Sequence, residues 1–439
     1  MTAMALPNSA ARFGNTVLRP AGTVSVPEDG NRNRIRSWKV IHACEHARDV
    51  LAVVEGQVTN GMQPYIVTPR GEGSAQLYLS NKEVEQDSSL SLLRAWQDVR
   101  NWRKSLLECN PEYSADLVHT HSFASGMAGV RNLSCVVYDP EACIEDLAVS
   151  AGQCERGSWM ARSFRVAEQF IVSRAEAIIV HTQEMKAAMQ ERGAPAQNVF
   201  VIPDPLPQDA EAPIFKSNFL QERLGIADTT VTFFLPRRAG DSTDAVSPSL
   251  LAVLEAFAAT MGEVPDVKLL LEATPATSAV IAGHAERFGI AKHVLCIEDW
   301  ERDAVLQNAD IIIATGEVPD DPVQARRPSE VCVQALCHGK ALLAADVPAN
   351  RECSPDGSGC LWFQDGDVRD LAHRMSFLGN NAAFRKSLGI SGRAYILQAR
   401  SSVALGQQYD AAYRHAVKQK RTLGPGQQAL NLRPLTSVG

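Results

Sequence analysis

A chain of 439 residues is too long for one hydrophobic core and suits two domains, each large enough to bury most of its apolar surface. Its formal net charge of -7 comes from interspersed acids and bases, with no long basic block to follow a phosphate backbone, which excludes nucleic acid as the expected partner. The ten cysteines are scattered and none forms CxxC, a pattern of packed thiols in a reducing compartment rather than a disulfide framework or a zinc site.

Residues 1–36 hold Pro, Gly, Asn and Arg without an apolar period and read as a flexible lead. They contain no apolar stretch of signal-peptide length, and no later segment reaches the roughly 18 apolar residues of a membrane span, so the expected location is cytoplasmic, with a peripheral membrane contact left open. Over 38–207 short apolar runs recur, "WKVIHAC", "QPYIVT", "ADLVHTH", "SCVVYD", "AEAIIVHT" and "VFVIP", separated mostly by helical spacing. This alternation predicts a parallel sheet covered on both faces. Within it, "WQDVRNWRKSLLE" puts Trp96, Val99, Arg103 and Leu106 on one helical face, with Arg100, Trp102 and Lys104 elsewhere, and reads as a packed helix with a basic rim rather than a membrane-facing one. His119 and His121 alternate along a strand, so at most one of them is expected to face a ligand, and His121 is the candidate. In "CVVYDPEACIED", Asp139, Glu141 and Glu145 are candidates to bind acceptor hydroxyls or to act as a base.

A Pro-rich polar stretch marks a linker over 208–229, after which the pattern restarts over 230–395 with "TVTFFLP", "VKLLLEA", "HVLCIE", "ADIIIAT", "KALLAAD" and "CLWFQ". The expected fold class is therefore α/β, with two doubly wound domains and ligands at the carboxyl ends of the strands, in a cleft between the domains. Residues 396–420 carry Tyr409 and Tyr413 at helical spacing and predict a terminal helix, followed by a flexible tail over 421–439. In "RRPSEVCVQALCHGKALLAAD", Pro328 and Ser329 suit a helix start and Gly339 its end, so the amides of Ser329 to Cys332 form a terminus that favours an anion.

The segments "ADLVHTHSFASGMAG", "EQFIVSRAEAIIVHT", "VFVIPDPLP", "LQNADIIIATG" and "QALCHGKALLAADVPANRECSPDGSGCLWFQDGDVRDLAHRM" follow one another in a telling order. Over about 38–418 that order resembles the glycosyltransferase B fold, and specifically the retaining, nucleotide-sugar-dependent glycosyltransferase family 4. The resemblance implies two Rossmann-like domains facing a cleft, closed by a C-terminal crossover helix. It implies a donor site with two glutamates eight positions apart, where this chain has Arg326 and Gln334; Glu330, one turn before Gln334 on the same face, is the candidate replacement carboxylate. It also implies an Arg and a Lys after the first strand of the second domain, where this chain has Arg237 and Arg238. In place of the glycine-rich turn after the first strand stand His42, Glu45 and His46.

On that resemblance the expected activity is transfer of a sugar from a nucleoside-diphosphate sugar to a glycan, lipid-linked or small-molecule acceptor, with retention of configuration. Arg237, Arg238 and Glu330 are the expected catalytic residues; Arg326, Ser329, Gln334 and Glu352 bind the donor; His121, Asp139 and Glu141 lie on the acceptor side. No metal is expected, Asp320 and Asp321 reading as an acidic loop, and no cofactor beyond the nucleotide-sugar co-substrate. The missing acids, lysine and glycines keep a second reading open, a catalytically silent scaffold that binds a glycan, a nucleotide or a protein partner. Fold alone also leaves another enzyme on paired doubly wound domains, such as an epimerase.

Overall fold

The computed structural model describes residues 38–45, 50–67, 92–113, 115–133, 135–206, 210, 217–237, 247–317 and 321–422. The expectations for the two tails and for His46, Arg238 and Asp320 lie outside these described residues. The chain divides into two compact units: unit 1 is Met1–Val180, Met189–Phe200 and Gly406–Gly439, and unit 2 is His181–Ala188 and Val201–Leu405.

Strands and helices alternate from the start: β1 (Lys39–Ala43), α1 (Leu51–Thr59), β2 (Gln63–Val67), α2 (Leu92–Tyr113), β3 (Leu117–Thr120), α3 (Phe123–Asn132), β4 (Val136–Tyr138), α4 (Ile144–Ser150), α5 (Trp159–Val172), β5 (Ala177–Val180), α6 (Gln183–Glu191) and β6 (Val199–Val201). The sheet runs β2-β1-β3-β4-β5-β6, and its registered pairs are parallel. The chain winds from β1 outward to β2 and then crosses back to β3, so the strand order reverses between β1 and β3, where His42 lies level with His119.

The second series is α7 (Phe219–Leu224), β7 (Val231–Leu235), α8 (Pro248–Thr260), β8 (Val267–Glu272), α9 (Pro275–Arg287), β9 (Val294–Ile297), α10 (Arg302–Asn308), β10 (Ile311–Ala314), α11 (Glu330–Cys337), β11 (Ala341–Ala345), α12 (Pro348–Arg351), β12 (Cys360–Phe363), α13 (Val368–Asn380), α14 (Ala382–Ala399) and α15 (Ser402–Thr422). Its sheet has the order β12-β11-β10-β7-β8-β9, again parallel, and reverses between β7 and β10. Period-two alternation sends Phe233, Leu269, Leu271, Ile311, Ile313 and Leu343 into one hydrophobic core and Phe234, Leu270, Ile312 and Leu342 into another. Two cores, one per face, require strands apolar at every position, which is why these segments read as unbroken apolar runs. On the second face α14 comes close to α11: a Cβ on Gly392 would lie 2.7 Å from the Cα of Gly359, whose φ is +81°, and 2.7 Å from Leu336 of α11.

In unit 1, α2 buries Val99, Trp102 and Leu106, while Trp96 is exposed at 41% and Arg103 faces solvent. The sequence reading put Arg103 and Trp96 on the packed face and Trp102 off it. Val99 and Leu106 belong to both candidate stripes, and each stripe holds one indole; the one that buries Trp102 keeps Arg103 in solvent and lets the Trp102 Nε1 donate to Glu45 Oε1 at 2.9 Å.

The residues that follow β4 are held by a buried ion pair. Arg192 Nε lies 2.7 Å from Glu168 Oε2, with both side chains almost wholly removed from solvent. The other oxygen, Glu168 Oε1, accepts from Tyr138 Oη at 3.1 Å and from the Ile144 amide at 3.3 Å, so it pins both ends of the segment that presents Asp139. Burial pushes the Glu168 carboxyl up, against the pull of Arg192 and these donors. Arg192→Met is expected to cost about 3–5 kcal/mol, because it strands a buried carboxylate. Urea unfolding of the full chain measures this, and a loss below about 1 kcal/mol would show that Glu168 is accommodated as a neutral carboxyl once Arg192 is gone.

Candidate active site

At the reversal of the unit 2 sheet, polar side chains collect past the carboxyl ends of apolar strands. Arg237 follows β7, Glu272 ends β8, Arg302 begins α10, and Glu330 and Gln334 lie one turn apart on α11. Glu272 Oε2 accepts from the Arg237 amide at 3.0 Å and from Arg302 Nη1 at 3.1 Å, and the same Nη1 donates to the Arg237 carbonyl at 2.9 Å. Arg302 Nη2 donates to Gln334 Oε1 at 3.0 Å, and Gln334 Nε2 donates to Glu330 Oε1 at 2.9 Å. Burial pushes the Glu272 carboxyl up, opposed first by Arg302.

Arg237 Nε is buried with no hydrogen-bond partner among the described residues. A buried guanidinium donor left unsatisfied is costly, and a ligand oxygen is one group that would satisfy it. Beside this network, Ser329 caps α11 by accepting from the Cys332 amide, while the Glu330 and Val331 amides are the remaining donors of the first turn. An arginine, a helix N-terminus and a carboxylate at one strand-end crevice suit a diphosphate carrying hydroxylated groups.

Unit 1 has its own polar cluster at the reversal between β1 and β3. Gln57 Nε2 donates to Tyr413 Oη at 2.7 Å, and Tyr413 Oη lies 2.9 Å from His119 Nδ1. The phenol accepts a hydrogen bond from Gln57 and is held neutral by burial; because the Asp139 carboxylate can only accept from the far nitrogen of His119, the phenol's own hydrogen goes to His119 Nδ1. His119 then carries its proton on Nε2 and donates to Asp139 Oδ2 at 3.0 Å. On the other side His42 Nε2 donates to Gln57 Oε1 at 2.8 Å, so His42 Nδ1 is the acceptor for His121 Nε2–H at 2.9 Å. Burial, aided by the neighbouring His119, pushes the His42 pKa down to about 3, which keeps that ring neutral. His121 Nδ1 lies 3.6 Å from Asp139 Oδ2 and closes the ring of contacts.

The three imidazoles also have ligand atoms within 4.8 Å of one another, close enough to consider a metal ion. The arrangement fits hydrogen bonding better. His42 and His121 meet edge to edge at 2.9 Å with planes 19° apart, and both nitrogens of His119 point to Tyr413 and Asp139. Coordination would have to break the His42–His121 bond and turn both rings.

Among the expected donor residues, Arg237, Ser329, Glu330 and Gln334 come together as described, and Arg326 ends the short 3₁₀ turn Gln324–Arg326, its carbonyl accepting from Thr182 Oγ1. Glu352 follows α12, half-buried, with Oε1 accepting from the Gln183 amide at the start of α6, a contact that occupies it as a helix cap; burial pushes its carboxyl up. Asp321 Oδ1 likewise accepts from the Val323 and Gln324 amides and so starts the 3₁₀ turn. On the other unit, His121 and Asp139 join one network, whereas Glu141 is exposed beyond it. His119 is fully buried and His121 is 15% exposed; because β3 ends at Thr120, His121 escapes strand alternation and still packs against His119, with ring centroids 4.2 Å apart. Arg302, Glu272, Gln57 and Tyr413 were not anticipated as site residues. Glu272 alone gave a signal, an acid closing the apolar strand "VKLLLE".

Residues 46–205 match the family model described as a glycosyl transferase 4-like domain. No curated protein matches the sequence. Among solved structures, a glycosyltransferase from Rickettsia africae ESF-5 is similar with a TM-score of 0.60 at 12% identity, over 87% of this chain and 99% of that one. HepE from Anabaena, solved in complex with UDP, has a TM-score of 0.54 at 14% identity, over 86% and 99%. Sucrose-phosphate synthase from Thermosynechococcus elongatus has 0.53 at 15%, over 86% and 98%. The chain therefore has the glycosyltransferase B fold, and its residues 46–205 are similar to a glycosyl transferase 4-like domain.

Proposed function

We propose that the protein is a glycosyltransferase that moves a sugar from a nucleoside-diphosphate sugar to a hydroxyl acceptor with retention of configuration. The observation that carries this reading is the buried, unsatisfied Nε of Arg237 at the strand reversal of unit 2, tied through Arg302 and Gln334 to the first turn of α11. A leaving diphosphate gains negative charge as the glycosidic bond breaks, and a fixed arginine with helix-terminal amides stabilises that charge where it develops. Arg238 is the second cation in this proposal, adjacent in sequence. Glu330 orients sugar or ribose hydroxyls through Oε2, the oxygen that Gln334 does not use. HepE is solved with UDP and with UDP-glucose, which supports a uridine nucleotide sugar as the first donor to try.

On unit 1, His121 and Asp139 are assigned to the acceptor. His121, at 15% exposure, is the open edge of a ring of contacts whose other imidazoles are buried. Its Nε2 is committed to His42, so an acceptor hydroxyl approaches the Nδ1 side, beside Asp139. Retention is proposed without an enzyme nucleophile: the departing diphosphate takes the acceptor proton on the same face, and the reading gives no role to a metal.

Calorimetry with UDP, GDP and ADP sugars tests the donor site. Arg237→Gln is expected to weaken the binding of whichever donor is recognised by about tenfold or more, since a charge-assisted hydrogen bond to phosphate is lost. Equal affinity in the variant removes Arg237 from the site, and no binding of any donor by the folded wild-type chain favours the silent scaffold.

A second expectation concerns protons. The folded pKa of His42 lies below its ordinary value of 6.5, so between about 3 and 6.5 the unfolded chain binds more protons than the folded one. Stability contributed by neutral His42 is therefore complete above 6.5 and falls, by up to ~1.4 kcal/mol per pH unit, as pH drops through that window. Nitrogen-15 histidine NMR should find His42 as the Nε2–H tautomer, still neutral where an ordinary histidine is half-protonated. A midpoint near 6.5 would contradict the hydrogen-bond directions derived above.

A further inference from the structure

A second polar concavity lies on unit 1, formed by α2 and α3 and unused by the proposed chemistry. Trp96, Val99, Arg100 and Arg103 of α2 and Arg131 and Asn132 of α3 line a cavity of about 580 Å³. Three guanidinium groups thus share one pocket with no carboxylate in its lining. Among the described residues none of the three forms an ion pair: Arg103 Nε donates to Asn132 Oδ1 at 3.1 Å, and Arg131 stacks near Trp96 at 5.7 Å and Phe170 at 5.9 Å.

Like charges gathered without counter-charge repel, and a concave wall screens them less than open solvent does. The aromatic contacts and the Asn132 bond hold two of the guanidiniums in place, so an anion arriving there meets donors already oriented. The fork of N–H groups on arginine matches phosphate oxygens. The cavity also exceeds what an inorganic ion fills, and Trp96 and Val99 supply an apolar wall beside the charges. We propose that this pocket binds a phosphate ester, with the phosphate among Arg100, Arg103 and Arg131 and the organic portion against Trp96. The ester is either a free small molecule or the headgroup of a lipid, two sources of one chemistry.

The full-length chain is titrated calorimetrically with glycerol 3-phosphate, and its co-sedimentation is measured with phosphatidylglycerol vesicles against phosphatidylcholine vesicles. Each assay is repeated with Arg100→Gln/Arg131→Gln, and with Arg237→Gln to separate this pocket from the phosphate-binding arginine of unit 2. The expected result is binding that falls about tenfold or more in the double variant and is unchanged in Arg237→Gln. A response to glycerol 3-phosphate alone assigns a soluble ester, and a response to the anionic vesicles alone assigns a lipid headgroup. The proposal is overturned if the wild type binds neither probe, or if the double variant binds as well as the wild type. Loss confined to Arg237→Gln overturns it too, since the phosphate would then sit in unit 2.

Discussion

A parallel sheet buried on both faces has no room for an unpaired polar side chain, and this constraint governs where chemistry can reside in the protein. In unit 2 β10 and β11 are apolar throughout, β7 admits one buried polar side chain, Thr232, whose hydroxyl donates to Asp310, and Arg237 and Glu272 stand where strands end. In unit 1 the constraint is met in another way. His42 and His119 lie within strands, at 0% exposure, and every ring nitrogen of the two has a partner.

Satisfying those partners sets a direction for the whole ring. Gln57 has one acceptor and one donor end, Tyr413 one hydrogen, and a neutral imidazole one hydrogen, so a single assignment fixes the rest. The ionised carboxylate of Asp139 makes the choice, because it can only accept from His119. Tautomers inside the sheet are thereby coupled to a charge beyond β4, and that charge is presented by a segment whose two ends Glu168 holds. Packing in the α4 and α5 region and proton positions in the β1 and β3 region are parts of one arrangement.

Much of the fold was legible because buried parallel strands have a strong signature. "AEAIIVHT" and "ADIIIAT" became β5 and β10, and the order of such runs sufficed for two doubly wound sheets. The residues of the unit 2 network were partly legible: the family resemblance pointed to Arg237 and Gln334, and helical spacing added Glu330. Long-range pairing was not. Arg302 stands in "EDWERDAVLQNAD" with nothing to mark it, and only the fold brings it to Gln334, 32 positions on. Glu352 illustrates the converse, a residue in the right loop whose carboxylate is drawn to an amide 169 positions away. The helix α2 failed for a local reason, since period alone cannot choose between two overlapping stripes until an indole finds its partner in Glu45.

The terminal helix shows how a structural contact becomes part of a site. From Gly406 onward α15 belongs to unit 1, where a Cβ on Gly406 would clash with Asn60, so the helix backbone lies against the end of α1. That closeness places Asp410 to accept from Trp38 Nε1 at 2.6 Å and Tyr413 between Gln57 and His119. A packed helix face would need only apolar side chains at these positions, as Ala412 and Ala416 provide. Tyr413 does more, because its single hydroxyl hydrogen is the one that His119 Nδ1 accepts while Nε2 donates to Asp139. An apolar residue in its place would leave His119 Nδ1 and Gln57 Nε2 buried without this partner, and the proton order of the ring would no longer be determined from that side. The last of the described helices thus takes part in ordering the protons at the strand reversal of unit 1, where His121 and Asp139 stand.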